Sequence, residues 1–404
     1  MTDSRYNVII VGGGIVGLAV ALEITQRFPR LRLLLLEKEE RVGRHQSGHN
    51  SGVIHSGVYY KPGSLKAKLC VTGAAAMVEF CREHGIAHQV CGKVIVATHA
   101  EEFPGLEELR RRGEANGLTG LQFIGPQELR EIEPHASGLR ALVVPSTGIT
   151  DYAAVCDKYA EIIGARGGTL LTSHAVIAIK RHADEIVVET NHGAFSVTSL
   201  INCAGLFSDR ISRMAGDDPQ VMIVPFRGEY YDLIPERSSL VRALIYPVPD
   251  PRFPFLGVHF TRRVSGSVDA GPNAVLAFRR EGYRRLDFNL RDLASSLVFP
   301  GFWRMAAKNW RNGLDEFHRS FSKPAFVRAL QRLVPEVREA DLVPGGSGVR
   351  AQALTREGAL VDDFQFVPSG RMLHVLNVPS PAATASLIIG RTIVSAAVDG
   401  LGLQ

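Results

Sequence analysis

The chain opens with an apolar, β-branched run at residues 6–11, breaks into glycines, and resumes with helical spacing at 18–27. A second apolar run, 31–36, ends in a single acid, Glu37. Short apolar runs bounded by turn residues predict buried strands, and the i, i+3, i+4 recurrence between them predicts a helix packed on those strands. Further strands are predicted at 93–97, 175–179, 186–190 and 199–202, and a charged helix at 107–116. Asp151 suits the N-cap of a helix over 152–165. The stretch from 225 to 297 reads as strand-rich and punctuated by proline, and 385–398 is helical again. No internal repeat and no low-complexity linker interrupts the pattern.

The break after the first strand is Val11-Gly12-Gly13-Gly14-Ile15-Val16-Gly17, and Glu37 comes twenty residues after its last glycine. Strand, glycines, helix, strand and acid in that order predict a dinucleotide-binding loop. Gly12 permits the tight turn, Gly14 lets the backbone approach a pyrophosphate, and Gly17 packs helix on sheet. Ile15 and Val16 open the helix whose positive end faces the phosphates. Glu37 is expected to accept from an adenosine ribose, which NAD and FAD share. The residues after Glu37 separate the two. Lys38 leads into a polar, glycine-rich run holding His45, Gln46, Asn50, Ser51, Gly52 and Val53, suited to wrapping a long cofactor, so FAD is expected. Val176, Ala204, Gly205 and Gly348 are assigned to the same cofactor.

Hydrophobic content of 45% and charged content of 22% exclude a disordered chain, and 404 residues suffice for two domains. The net charge of +5 suits an acidic substrate or an anionic surface and is too diffuse for nucleic acid. The first seven residues read as a short polar lead rather than a signal peptide, and no apolar run reaches spanning length. Five cysteines without a Cys-x-x-Cys pair read as reduced thiols. The pairs His45/His49 and His84/His88 lack a metalloprotease pattern, so no metal is expected.

Longer segments carry a resemblance. They are His49-Asn50-Ser51-Gly52-Val53-Ile54-His55-Ser56-Gly57-Val58-Tyr59-Tyr60, residues 63–70, 225–231 and 254–260, Gly271-Pro272-Asn273-Ala274, Gly348-Val349-Arg350-Ala351-Gln352-Ala353, and Pro379-Ser380-Pro381-Ala382-Ala383-Thr384. On these the chain resembles the D-amino-acid-oxidase-like superfamily of FAD oxidoreductases, and within it the L-2-hydroxyglutarate dehydrogenase (oxidase) family. The resemblance implies an α/β fold, with a Rossmann-like FAD-binding domain interleaved with an antiparallel-sheet substrate domain. Residues 1–90, 145–224 and 341–404 are expected in the former, and 91–144 and 225–340 in the latter. It also implies oxidation of L-2-hydroxyglutarate to 2-oxoglutarate with a hydride passing to flavin.

That chemistry needs carboxylate anchors, a base and stabilisation of reduced flavin. Arg350 is the expected anchor, because a guanidinium fork matches a carboxylate and keeps its charge. Ala351 stands where related oxidases carry proline. Lys61, Arg227, Tyr59 and Tyr60 are candidates for the second carboxylate, with Gln352 and Ser380 nearby in their motifs; Arg227 equally suits pinning a sheet to a loop. His55 and His259 are the candidate bases. His55 could instead be a flavin contact or a covalent attachment point, and His259 a buried structural group. Ser380, Pro381, Ala382 and Ala383 lead into a helix whose N-terminus is expected to face the flavin pyrimidine.

Residues 298–322 place Phe299, Trp303, Ala306, Trp310, Leu314, Phe317 and Phe321 at helical spacings among Arg304, Lys308, Arg311 and Arg319. This is a candidate membrane-facing segment, interrupted at Pro300-Gly301 and Asn312-Gly313. With the resemblance it implies a peripheral enzyme on the cytoplasmic face of the inner membrane, passing electrons to quinone or another acceptor. The alternatives are a glycine- or sarcosine-oxidase-like amine oxidase on the same scaffold and a non-catalytic flavoprotein.

Overall fold

The computed structural model describes residues 5–250 and 256–401, except the side chains of 311, 312, 314 and 315; the predicted roof segment at 254–255 lies outside the described residues. Two large sheets organise the chain. The first has eight strands, with Arg5–Val11 at its centre between Leu33–Leu36 and Gly193–Asn202, both parallel to it. The helix Ile15–Arg27 returns over this sheet and packs against Ser386–Leu401 and Tyr152–Ala165. Val8, Ile10, Leu18, Ile24, Leu33 and Leu35 interlock beneath it. The apolar runs therefore form strands because both sheet faces are covered. Asp151 caps the helix Tyr152–Ala165, accepting from the N–H groups of Ala153 and Ala154.

The second sheet has nine strands, and its longest pair is antiparallel, Val221–Leu233 against Leu342–Thr355. Residues 342–355 were expected in the FAD-binding half, yet their whole ladder lies in the second sheet. Gly345 and Gly348 in this strand meet close approaches: a Cβ on Gly348 would stand 2.4 Å from the His49 carbonyl oxygen, and one on Gly345 2.5 Å from Asp232 Oδ1. Similarly, 221–224 belong to the second sheet. A small third sheet joins Val53–Ile54 and His88–Gln89 to Gly148–Thr150, fastening the loop after residue 43 between the two large sheets.

The segment predicted as amphipathic is one helix, Pro300–Phe321, kinked at Asn309 rather than broken at Asn312-Gly313. Its expected apolar stripe is divided: Trp303, Trp310 and Phe321 are exposed, whereas Phe299, Ala306 and Phe317 are partly packed. Among the described residues no helix is long and apolar enough to cross a membrane.

Candidate active site

The glycine loop borders a cavity of about 700 Å³ lined by Gly12, Gly14, Glu37, Lys38, His45, Gln46, Val176, Ala204 and Gly205. Gly12 has φ +110, and a Cβ there would stand 2.5 Å from the Cys203 carbonyl oxygen. A Cβ on Gly17 would stand 2.0 Å from the Gly12 carbonyl oxygen, so this glycine sets the distance between helix and loop. Gly14 differs: a Cβ would meet only Ser47 Oγ, at 3.4 Å. The crowding thus falls on the turn and the helix, while the middle glycine opens toward the cavity, as a pyrophosphate cradle requires. Glu37 Oε2 accepts from the Gly13 N–H at 2.7 Å and Oε1 from the Glu39 N–H at 2.9 Å. Each oxygen keeps a lone pair for a ribose hydroxyl. Ile15, Val16 and Gly17 form the helix start behind the loop, and the Ile15 N–H donates to Ser47 Oγ at 2.8 Å.

Beyond the cavity the wrapping loop holds itself. Asn50 Nδ2 donates to the Gln46 and Ser47 carbonyls, and Asn50 Oδ1 accepts from the Gly52 N–H. Thr384 Oγ1 accepts from the His55 N–H at 3.0 Å and bonds the Val53 carbonyl at 3.2 Å. These bonds tie the Ser51–Val53 stretch to the turn through Ser380, Pro381, Ala382 and Ala383 that precedes the helix Ser386–Leu401.

A strap not anticipated from sequence lies over the cavity mouth. Glu281 accepts from Lys38 Nζ at 2.5 Å and pairs with His45 at 3.0 Å, while Tyr283 stacks on His49 with centroids 4.2 Å apart. Arg280 and Asp209, both fully buried, form a forked pair under it. Glu39, His45 and Glu281 come close enough to hold an ion, yet the Lys38 ammonium already bridges the two carboxylates.

The second group gathers around His55. Its ring is half-buried, and its pKa is pushed down to about 3 by burial and then by the neighbouring charges of Lys93 and Arg350. His259 lies on the strand His259–Arg262 and stacks on Tyr246 with centroids 3.8 Å apart. Its Nδ1 stands 2.8 Å from the Gly257 carbonyl, which can only accept, so Nδ1 carries the proton and Nε2 is the ring's acceptor. Its pKa is also pushed down to about 3, by burial and by Lys93 and Arg350. Both histidines are therefore neutral at ordinary pH. Arg350 projects from the strand Leu342–Thr355, held by register with Phe226; inside a paired strand the ladder supplies the rigidity that a proline would give a loop. Tyr60 bonds Ser380, and burial holds its phenol well above the ordinary range.

Two expected substrate residues are engaged otherwise, and a third faces solvent. Arg227 is buried, forks onto Glu229 Oε1 at 2.8 and 3.1 Å, and donates to the Arg284 carbonyl, so it pins the sheet to the strap. Gln352 donates to the Ala353 and Val361 carbonyls. Lys61 is exposed on the turn before the helix Leu65–Glu83. Conversely, Lys93, Tyr230 and Tyr246 join the group without having been singled out. Lys93 left one trace, a lone charge at the head of the otherwise apolar strand Lys93–Ala97.

Lowering pH from 6.5 toward 3 is expected to destabilise the fold, because unfolded histidines take up protons that folded His55 and His259 refuse. Urea midpoints across that window check this. The drop should shrink in a His55→Gln/His259→Gln double variant.

The glycine cradle, the cavity it borders and the two interleaved sheets fit a flavin-dependent oxidoreductase. A family model described as FAD dependent oxidoreductase matches residues 7–396. L-alpha-glycerophosphate oxidase from Mycoplasma pneumoniae shares the fold with TM-score 0.80 at 22% identity, covering 99% of this chain and 95% of that one. Glycine oxidase from Geobacillus kaustophilus gives TM-score 0.73 at 20% identity, covering 98% and 95%. Among curated relatives, L-2-hydroxyglutarate dehydrogenase of Indibacter alkaliphilus is 53% identical, covering 96% of this chain and 98% of its own length. The mitochondrial enzyme of that name from Homo sapiens is 46% identical, covering 97% and 88%. The chain belongs to the L-2-hydroxyglutarate dehydrogenase family of FAD-dependent oxidoreductases.

Proposed function

We propose that this protein oxidises L-2-hydroxyglutarate to 2-oxoglutarate. The observation that carries the reading is the gathering of two cationic side chains, Arg350 and Lys93, around two histidines kept neutral. Relatives bearing the dehydrogenase name support it. FAD, when bound, supplies the hydride acceptor. Gly12, Gly14, Glu37, Ala204 and Gly205 would hold its adenosine and phosphates, and the turn at Ser380–Ala383 its other end. On this reading the first sheet serves the cofactor, and the second, now including 342–355, serves the substrate.

Arg350 grips the α-carboxylate through its fork. His55, the more accessible of the two neutral rings, takes the hydroxyl proton on a ring nitrogen as the C–H bond breaks. His259 is nearly closed off at 6% exposure; its fixed tautomer offers Nε2 as an acceptor that orients the hydroxyl. Tyr60 and Ser380 close the site above the wrapping loop. Steady-state assay with an artificial acceptor tests this. L-2-hydroxyglutarate should turn over and glycine, sarcosine and proline should not; turnover of the amines alone would move the chain to the amine-oxidase alternative.

Electron disposal belongs to the same proposal. Leu286, Leu290, Val298, Trp303, Trp310 and Phe321 are exposed on one run of chain with Arg291, Arg304 and Lys308. That combination suits peripheral contact with an anionic bilayer, on the cytoplasmic face of the inner membrane, where quinone takes the electrons. Holoenzyme should co-sediment with anionic but not zwitterionic vesicles, and Trp303→Glu/Trp310→Glu should release it. Equal partition of both proteins would remove the membrane contact.

A further inference from the structure

Lys93 is the unusual member of the site. Its side chain is buried, 3% exposed, and Nζ has no hydrogen-bond acceptor among the described residues. Tyr59 Oη is likewise buried without a partner. The two belong together: the ammonium lies 4.4 Å from the Tyr59 ring centroid and 4.8 Å from that of Tyr246. Tyr246 also stacks on His259, so this corner adjoins the histidines. Phenol faces attract a cation, but they do not satisfy ammonium N–H groups. A buried charge left in this state is costly unless an anion arrives.

Every group facing Lys93 leaves that anion to come from outside. Burial holds the Tyr59 and Tyr246 phenols well above their ordinary range, so both stay neutral. Burial likewise pushes the Cys70 thiol up to about 12, and its S–H bonds the His55 carbonyl. His55 and His259 are neutral, and Arg350 is a second cation. Asp269, the carboxylate felt at Tyr246, is already held by Arg263. The corner therefore holds an ammonium and an unused phenol hydroxyl that no carboxylate among the described residues pairs with, which is how a carboxylate receptor is built.

We propose that Lys93 Nζ and Tyr59 Oη receive the distal carboxylate of the substrate, making Lys93 the residue that selects a dicarboxylate 2-hydroxy acid over a monocarboxylate one. This rests on the reading of the site given above and names the partner of the second carboxylate. Arg350 and Lys93 come from different strands of the second sheet, so the two carboxylates of one ligand are held at separate points and the carbinol carbon is fixed between them. Burial pushes Lys93 down to about 7, so part of its charge is absent in the empty site and returns when a carboxylate binds.

The test compares wild type and Lys93→Met as flavin-loaded holoenzymes. With L-2-hydroxyglutarate, Lys93→Met should raise KM by about 100-fold, the scale of an unpaired buried charge. With L-2-hydroxyvalerate, which lacks the distal carboxylate, the loss in kcat/KM should be at least about tenfold smaller, so that the preference for the dicarboxylate collapses. Equal losses on both substrates, or no loss on either, would overturn the assignment. A readout without turnover uses the flavin spectrum. Glutarate should bind Lys93→Met far more weakly than wild type, and butyrate equally well. In wild type alone, glutarate affinity should fall as pH rises above 7 while butyrate affinity stays level; parallel profiles would count against Lys93. If wild type fails to oxidise L-2-hydroxyglutarate, the functional reading falls, and the glutarate and butyrate titrations still decide the role of Lys93.

Discussion

Replacing His55 with glutamine is expected to slow anaerobic flavin reduction by L-2-hydroxyglutarate about 10³-fold, within the range for loss of a positioned general base. Flavin content and KM should change little, since the ring is not a carboxylate anchor. Its backbone is fixed on two sides, the N–H by Thr384 and the carbonyl by the Cys70 thiol, so the loop should survive the substitution. The electrostatics explain how a base with so low a pKa can work. Burial and the charges of Lys93 and Arg350 keep free His55 unprotonated. When the dianionic substrate binds, its carboxylates offset those two cations and the opposition to protonation weakens as the proton must move. Accordingly, kcat/KM should show no acid limb near 6.5; its acid fall should come only below about pH 5, where the substrate carboxylates and then His55 take up protons, and its alkaline fall above 7, where Lys93 loses its charge. Rapid-mixing spectroscopy across pH checks both parts. A His55→Gln enzyme reduced at the wild-type rate would transfer the base to His259.

Arg350→Lys is the second large effect. KM for L-2-hydroxyglutarate should rise about 100-fold, because a point charge on a flexible stem replaces a fork held on a paired strand. The flavin should remain bound, since the ladder with Phe226 is unaltered. Both dicarboxylate and monocarboxylate 2-hydroxy acids should suffer, as both carry the α-carboxylate that Arg350 grips. This separates Arg350 from Lys93, whose loss falls far more heavily on the dicarboxylate. Steady-state kinetics on the two substrates, with absorbance to count bound flavin, reads the difference.

The cofactor half of the molecule was legible because its chemistry is local. Gly12, Gly14, Gly17 and Glu37 declare strand, turn, helix and strand within a few dozen residues, and the structure places all four at one cavity or its supporting turn. The substrate half depends on contacts between distant segments. Lys93 heads an apolar strand, and only the approach of Tyr59 from the wrapping loop and Tyr246 from a neighbouring strand turns it into a buried, unpaired cation. For Arg227 the sequence left two roles open, substrate anchor or sheet-to-loop pin. It sits in a motif that resembles a substrate site, but Glu229 is two residues along the same strand and therefore on the same face, where it captures the guanidinium. Gln352 is likewise spent on backbone carbonyls of its own and a neighbouring segment.

The glycine-rich stretch at 345–348 shows the same limit. Glycine there marks close backbone approach within a paired strand, a meaning set by His49 and Asp232 from other parts of the chain. The strap bearing Arg280, Glu281 and Tyr283 had no sequence signal because its partners, Asp209, Lys38 and His45, come from the cofactor sheet and its loop.

This scaffold delivers the electrons of L-2-hydroxyglutarate to its flavin. Anaerobic mixing of the oxidised holoenzyme with that substrate tests it most directly, with the yellow flavin absorbance and the 2-oxoglutarate formed measured in the same sample. The flavin should bleach in step with stoichiometric 2-oxoglutarate. A flavin that stays yellow with L-2-hydroxyglutarate, yet bleaches with glycine, sarcosine or proline, would contradict the account.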